Sequence, residues 1–155
     1  MKHSSTAIIV LFLTLLLSSC ATAPLGKAGI QADNTLAAIR GLTSAYEQRN
    51  IEAFMDKVAT AYPDRDAFQT SVEKIFSTYQ TIHFKLHFTK IIVMVEAKGN
   101  IRATFTWEGE WQTTGGKIVK DGARVTLVLD PGTYKLLAID GKNMFIPTDA
   151  PAPAR

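Results

Sequence analysis

Two periods run along the chain. From Leu36 to Tyr79 apolar residues recur at spacings of three and four, as on a buried helical face, and from Ile82 to Ile139 they alternate one by one, as on half-buried strands. Leu36, Ile39, Leu42 and Tyr46 form the first helical stripe, with Asp33 or Asn34 as the expected cap. Asn50 is placed to cap a short second helix, with Ile51, Phe54, Met55 and Val58 on its apolar side. Tyr62-Pro63 should end it, because the residue before a proline avoids the helical region. Asp64 and Asp66 open a third helix, whose buried side is Phe68, Val72, Ile75, Phe76 and Tyr79.

The period then falls to two. Ile82, Phe84, Leu86 and Phe88 alternate with His83, Lys85, His87 and Thr89, and Ile91 to Val95 is apolar on both phases, as if covered on both faces. After a turn at Lys98-Gly99-Asn100, Ile101, Ala103, Phe105 and Trp107 alternate with Arg102, Thr104, Thr106 and Glu108. A second turn spans Thr113 to Lys117. A third strand region, Ile118 to Asp130, is expected to break near Gly122. Asp130-Pro131-Gly132-Thr133 makes a third turn, and Tyr134 to Ile139 the last strand. Three helices followed by an antiparallel meander is an α+β domain. Strict alternation puts Phe84, Leu86, Phe88, Ala103, Phe105 and Trp107 against the helices, and His83, Lys85, His87, Arg102, Thr104 and Glu108 outward.

Two segments carry a family resemblance. Tyr46-Glu47-Gln48-Arg49-Asn50-Ile51-Glu52-Ala53-Phe54-Met55 resembles the end of the first helix and the start of the second in the NTF2-like superfamily, with Asn50 where Gly-Asp is usual. Arg124 to Ile139, with Gly132-Thr133-Tyr134-Lys135-Leu136, resembles its final hairpin. The resemblance spans about residues 33–146. It implies an NTF2-like (cystatin-like) cone, three helices packed on a curved antiparallel sheet, as in ketosteroid isomerase and SnoaL-type proteins.

Candidate chemistry is sparse. His83 and His87 share a strand face about 13 Å apart, too far to share one ion without a third element. Trp107, Gly109 and Trp111 share one phase, and they either line a cavity at the mouth of the cone or form ordinary core. Tyr46, Phe54, Tyr79, Phe84, Phe105 and Trp107 are the residues expected to line whatever cavity exists. Tyr46 and Tyr79 end helical stripes, where the ring is buried and the hydroxyl wet. An isomerase-like enzyme needs a carboxylate of raised pKa in the apolar pocket and an oxyanion donor. On this reading every strand Asp or Glu falls on the polar phase or in a turn. Gly115-Gly116 opens no helix and is not a phosphate loop. No Ser-His-Asp set, metal site or cofactor motif is readable.

The N-terminus changes the picture of where the domain sits. Lys2 precedes an apolar run from Ala7 to Leu17, shorter than the roughly 20 residues a membrane span needs. Leu17-Ser18-Ser19-Cys20 then resembles the lipobox of bacterial lipoproteins. That resemblance implies cleavage after Ser19, a signal peptide over residues 1–19 and lipidation of Cys20. Ala21, rather than an Asp, implies sorting to the outer membrane, with the domain facing the periplasm. Two or three acyl chains, at about 0.8 kcal/mol per buried methylene, hold such a protein permanently. Residues 20–32, small and containing Pro24, Gly26 and Gly29, are read as lipidated Cys and linker, 33–146 as the domain, and 147–155 as a loose tail. With its only cysteine lipidated, the chain has no thiol for a disulfide or a thiolate metal site. The formal charge of +3 is spread with alternating sign, which does not suit nucleic acid. The expected protein is a membrane-anchored, non-enzymatic binding module. Its partners are membrane lipid through Cys20 and an apolar small ligand or an envelope protein, with a homodimer through the sheet as a further option. A SnoaL-like enzyme acting on a small hydrophobic substrate is the alternative. Cys20→Ser should abolish labelling by a clickable fatty acid; equal labelling of wild type and variant overturns the lipobox reading.

Overall fold

The computed structural model describes residues 27–95 and 99–148. The expected signal segment, Cys20 and the linker to residue 26 lie outside them, as do the tail from residue 149 and the faces assigned to Ile91 to Val95. The elements are α1 (Lys27–Glu47), α2 (Ile51–Asp56), α3 (Arg65–Thr78), β1 (Tyr79–Val95), β2 (Ile101–Thr113), β3 (Ile118–Leu129) and β4 (Leu136–Gly141). Among the described residues no helix is long and apolar enough to cross a membrane.

Helix α1 begins ahead of the expected cap, so Asp33 and Asn34 lie inside it. Such residues cost only tenths of a kcal/mol in a helix interior, and Asn34 finds a side-chain partner instead, donating to the Tyr134 hydroxyl at 3.4 Å. The compact unit that holds the core begins at Gln31. Its helix buries Ile39, Leu42, Ala45 and Tyr46. Arg49, in the left-handed region at φ 53°, reverses the chain. Asn50 then caps α2 as expected, its Oδ1 accepting from the Ala53 N–H at 3.0 Å. The helix stops at Asp56, well before Tyr62-Pro63. The sheet ends it, not the proline: Val58 bridges Leu136 in parallel, the Leu136 N–H donates to the Lys57 carbonyl at 2.8 Å, and the Ala59 N–H to the Leu136 carbonyl at 2.9 Å. Helix α3 buries Phe68, Val72 and Ile75. Tyr79 is already extended (φ −112°, ψ 128°) and is the first residue of β1 rather than the end of a helical stripe.

The four strands lie in chain order, all antiparallel. In β2 the alternation holds over its whole length: Ile101, Ala103, Phe105, Trp107 and Trp111 are buried, while Thr106 and Glu108 are exposed. In β1 Ile82 is buried, Phe84, Leu86 and Phe88 are half-buried and packed on the core, and His83 and Lys85 are exposed. An irregularity between His87 and Ile92 interrupts the β1–β2 register. Strand β3 does not break at Gly122. Its register with β2 runs on through Trp107–Ala123, Glu108–Gly122 and Gly109–Asp121. Glycine fits there because a Cβ on Gly122 would lie 2.9 Å from the Trp107 carbonyl oxygen. The last strand starts at Leu136 rather than Tyr134. Asp130 Oδ1 accepts from the backbone of Gly132 (3.1 Å) and Thr133 (2.7 Å), and the turn runs on through Tyr134 at φ 57°.

The core is one cluster contributed by all three helices, the inward phase of the sheet and two residues after β4, Met144 and Phe145. The expected loose tail is held at its start. Pro147 is buried, and Thr148 is bonded through both its N–H and its hydroxyl to Asp121 Oδ2. Strand β1 is an edge of the sheet, and its Phe84 N–H donates to Glu47 Oε1 of α1 at 2.6 Å. Arg49 donates to the Tyr79 carbonyl on the same strand at 3.2 Å.

Phe105→Ala should destabilise the domain by about 3–5 kcal/mol, the range for a buried phenylalanine. His87→Ala should cost at most roughly 0.5 kcal/mol, since its Nε2 meets only the exposed Glu108, at 3.1 Å. Denaturant melts of the two variants check this; a larger loss for His87→Ala would overturn the phase assignment.

Candidate functional site

The dry face of β2 sets the interior of the cone. Trp107 and Trp111 follow one another on that phase with their rings at 87° and centroids 6.2 Å apart. Gly109 between them has no side chain for a reason: a Cβ there would fall 2.4 Å from Trp111 Cη2 and 3.1 Å from Phe84 Cε1. The Trp111 indole therefore folds back over the strand, and Phe84 stands edge-on to both indoles at 5.9 and 5.5 Å. Helix α1 brings Tyr46 to this group, 5.5 Å from Phe84, and α2 brings Phe54, 5.3 Å from Tyr46. From the segment after β4 comes Phe145, 5.0 Å from both Tyr46 and Phe54.

Polar groups in this interior are few. The Tyr46 hydroxyl donates to the Phe145 carbonyl oxygen, and the Trp111 Nε1–H points at the Tyr46 oxygen from 3.5 Å. Burial pushes the Tyr46 hydroxyl well above its ordinary pKa, against the smaller opposing effect of the Trp111 contact, so it remains a proton donor at physiological pH. Trp107 Nε1 is buried without a hydrogen-bond partner. Contrary to the sequence-based expectation, the Tyr46 hydroxyl is not wet.

Of the six residues expected to line a cavity, the structure brings Tyr46, Phe54, Phe84 and Trp107 together. Phe105 pairs instead with Phe88, 5.5 Å away, and Tyr79 is buried at the α3–β1 junction. None of the described clefts is lined by Tyr46, Phe54, Tyr79, Phe105 or Trp107; Phe84 alone borders one.

That cleft, of about 690 Å³, lies across β1, β2 and β3 and is bordered by His83, Lys85, Glu108, Glu110 and Lys120 of the polar phase together with Phe84, Gly109 and Asp121 of the other. Register puts His83, Glu110 and Lys120 in one row across the strands and Lys85, Glu108 and Gly122 in the next. Lys120 Nζ pairs with Glu110 at 2.8 Å. His83 and His87 flank this surface, and among the described residues no three His, Cys, Asp or Glu side chains are placed to hold a metal ion.

Asp121 is the functional candidate that the sequence reading missed. Once β3 is continuous, the alternation that buries Val119 and Val125 turns Asp121 to the inward phase, opposite Gly109. It is a strand carboxylate off the polar face, and its side chain is only 9% exposed. Lys142 Nζ and the Gly122 N–H meet Oδ1, and Thr148 meets Oδ2 twice. The signal was available in the spacing Val119, Asp121, Ala123, Val125; the expected break at Gly122 hid it.

No protein-family model and no curated protein sequence matches the chain. Solved structures do. A candidate dehydratase of the NTF2-like family from Streptomyces avermitilis is 17% identical, with a TM-score of 0.60 over 71% of this chain and 93% of its own. An NTF2-like superfamily protein from Salmonella enterica serovar Typhimurium is 13% identical, with a TM-score of 0.55 over 74% and 90%. A pinacolase from Penicillium brevicompactum is 7% identical, with a TM-score of 0.56 over 70% and 84%. The fold is NTF2-like: helices followed by a four-stranded, curved antiparallel sheet.

The Asp121 contacts have a pH signature. Burial by itself would raise this carboxyl, but the bonds from Lys142, Thr148 and Gly122 outweigh it and hold the group below the ordinary carboxylate range. A depressed folded pKa gives stability that is fully present above the unfolded value of about 3.9 and lost as pH falls through the folded value. Asp121→Asn should therefore be less stable than wild type near neutral pH, and the gap should narrow in acid. Melts across that range check it; a gap independent of pH overturns the assignment.

Proposed function

We propose that the chain is an outer-membrane lipoprotein, held through acylated Cys20 with its domain in the periplasm, and that the NTF2-like domain is a binding module rather than an enzyme. The address rests on the sequence: a basic start, a short apolar run, small residues and Cys20 followed by Ala21. The binding reading is carried by one observation. The interior is packed with rings, Tyr46, Phe54, Trp107, Trp111 and Phe145 all having no exposed surface, whereas the 690 Å³ cleft lies across β1, β2 and β3, bordered mainly by charged side chains. Mixed charge in adjacent rows suits an envelope protein partner of complementary charge, because such pairing steers encounter and fixes register. The buried polar residues among those described are Thr35 and Thr43, and the inward carboxylate Asp121 is held below its ordinary range rather than raised toward a general base.

The alternative is a SnoaL-like enzyme acting on a small hydrophobic substrate. It draws on neighbours described as a dehydratase and a pinacolase and on Asp121, the inward carboxylate. That carboxylate is fully engaged by Lys142 and Thr148 and held ionised, which leaves it a weak base.

A photo-crosslinking residue placed at Glu108, in the cleft, should trap an envelope protein in intact cells. The same residue at exposed Glu73 on α3 should not. Lys85→Glu should remove the adduct. Equal capture from both positions, or capture unaffected by Lys85→Glu, overturns the cleft as the binding face.

A further inference from the structure

We propose that the cavity between α1, the end of α2 and the turn from β3 to β4 binds a small organic monocarboxylate with a compact apolar body. It shares no residue with the sheet cleft and stands whether or not that cleft takes a partner.

Buried Leu42, Leu129 and Leu136, with Ala38 and Gly41 of α1, supply the apolar lining of this cavity. Its volume of about 180 Å³ is close to the roughly 150 Å³ that takes benzene, so one ring or a short branched chain fits. The polar lining is unbalanced in charge. Asp56, the one carboxylate among the lining residues, is taken by Lys135 at 3.1 Å. Lys57 has no such partner there. The sheet fixes its backbone, its carbonyl accepting from the Leu136 N–H at 2.8 Å. Its side chain crosses to α1, where Nζ lies 3.5 Å from the place a Cβ on Gly41 would occupy. An ammonium held beside leucines without a counter-charge favours an anion.

Tyr134 adds a second donor. The turn holds it at φ 57°, where a bulky residue is an outlier, with its N–H donating to the Asp130 carbonyl at 2.9 Å. Its hydroxyl oxygen accepts from Asn34 Nδ2 of α1 at 3.4 Å, which leaves the hydroxyl proton free to donate. One cation and one hydroxyl over an apolar lining match a carboxylate on an apolar body. The Asp56–Lys135 pair is already neutral, so the cavity has one positive charge to offset.

Gly41 is the mark of this site in the sequence. Glycine is among the least favourable residues for a helix interior. Its φ is not positive, so the backbone does not require it, and a Cβ would meet only the Lys57 side chain, at ordinary contact distance. Neither conformation nor packing accounts for it. What a side chain there would take is the space beside the Lys57 ammonium.

The test uses the full chain in detergent and reads the backbone amide resonances of Gly41 and Tyr134. The probes are benzoate and benzamide, alike in shape and different in charge. Benzoate should shift both amides saturably and leave the indole signals of Trp107 and Trp111 unmoved, since those rings lie in the closed interior. It should bind at least roughly tenfold more tightly than benzamide, as bonds to a charged group permit. Lys57→Met keeps most of the stem and should erase that preference; Tyr134→Phe should weaken benzoate several-fold. Gly41→Ala should melt no lower than wild type and yet bind benzoate more weakly, a combination that a purely structural glycine would not give. The comparison of the two probes in wild type needs no variant to fold. The proposal is overturned if millimolar benzoate leaves both amides unmoved, if it moves the indole signals instead, if benzamide binds equally well, or if folded Lys57→Met binds benzoate as wild type does.

Discussion

Trp107 and Trp111 lie on one phase of β2 with no exposed surface, and burying two indoles side by side governs what surrounds them. Alternation lays them on the same face, and the Trp111 ring can fold back between them because Gly109 has no side chain; a Cβ there would fall 2.4 Å from Trp111 Cη2. The indoles in turn give Phe84 its edge-on seat and bring Tyr46 of α1 over the sheet. Phe54 of α2 and Phe145 after β4 close the group. Ring faces and edges attract each other beyond their area of contact. The cluster therefore fixes orientation as well as burial, and helices, sheet and C-terminal segment meet at one place.

Much of this was written in the sequence at the level of period. The alternation from Ile101 to Trp111 needed no tertiary information, because one face of β2 is buried throughout and the other is half-buried or exposed. Asn50 was equally legible, since its cap is a local hydrogen bond. What escaped were places where a distant segment decides. Helix α2 stops at Asp56 because Leu136, far along the chain, takes over the hydrogen bonds of Lys57 and Ala59. Gly122 looked like a breaker, yet it permits close approach to Trp107 within a continuous strand, and with the false break Asp121 lost its phase. Phe145 offered no period at all. Three apolar residues in a row between Asn143 and Pro147 make no pattern, and the burial of Met144 and Phe145 depends on a cone that only the folded chain possesses.

The two faces of the sheet divide the chemistry. Inside, the ring cluster carries hydrogen-bond donors on aromatic rings, and the inward carboxylate Asp121 is taken up by Lys142 and Thr148. Outside, lysine, histidine and glutamate alternate across three strands with solvent access, where ion pairs contribute little to stability and much to the recognition of a complementary surface. This division explains why a fold shared with a dehydratase and a pinacolase need not carry their kind of chemistry: the scaffold is common, and the function resides in the groups mounted on it.

Strand β1 is an open edge of the sheet, and its first half is not left bare. Glu47 occupies the Phe84 N–H, and Arg49 the Tyr79 carbonyl, so a charged side chain from the helical layer sits on each kind of edge group. An unguarded edge is a template on which another chain can add a strand. With one donor and one acceptor already engaged, a neighbouring copy would have to displace a carboxylate and a guanidinium to pair there. The junction between α1 and α2 thus leaves this edge with fewer free groups for another strand to pair with, and the other edge strand, β4, is only six residues long.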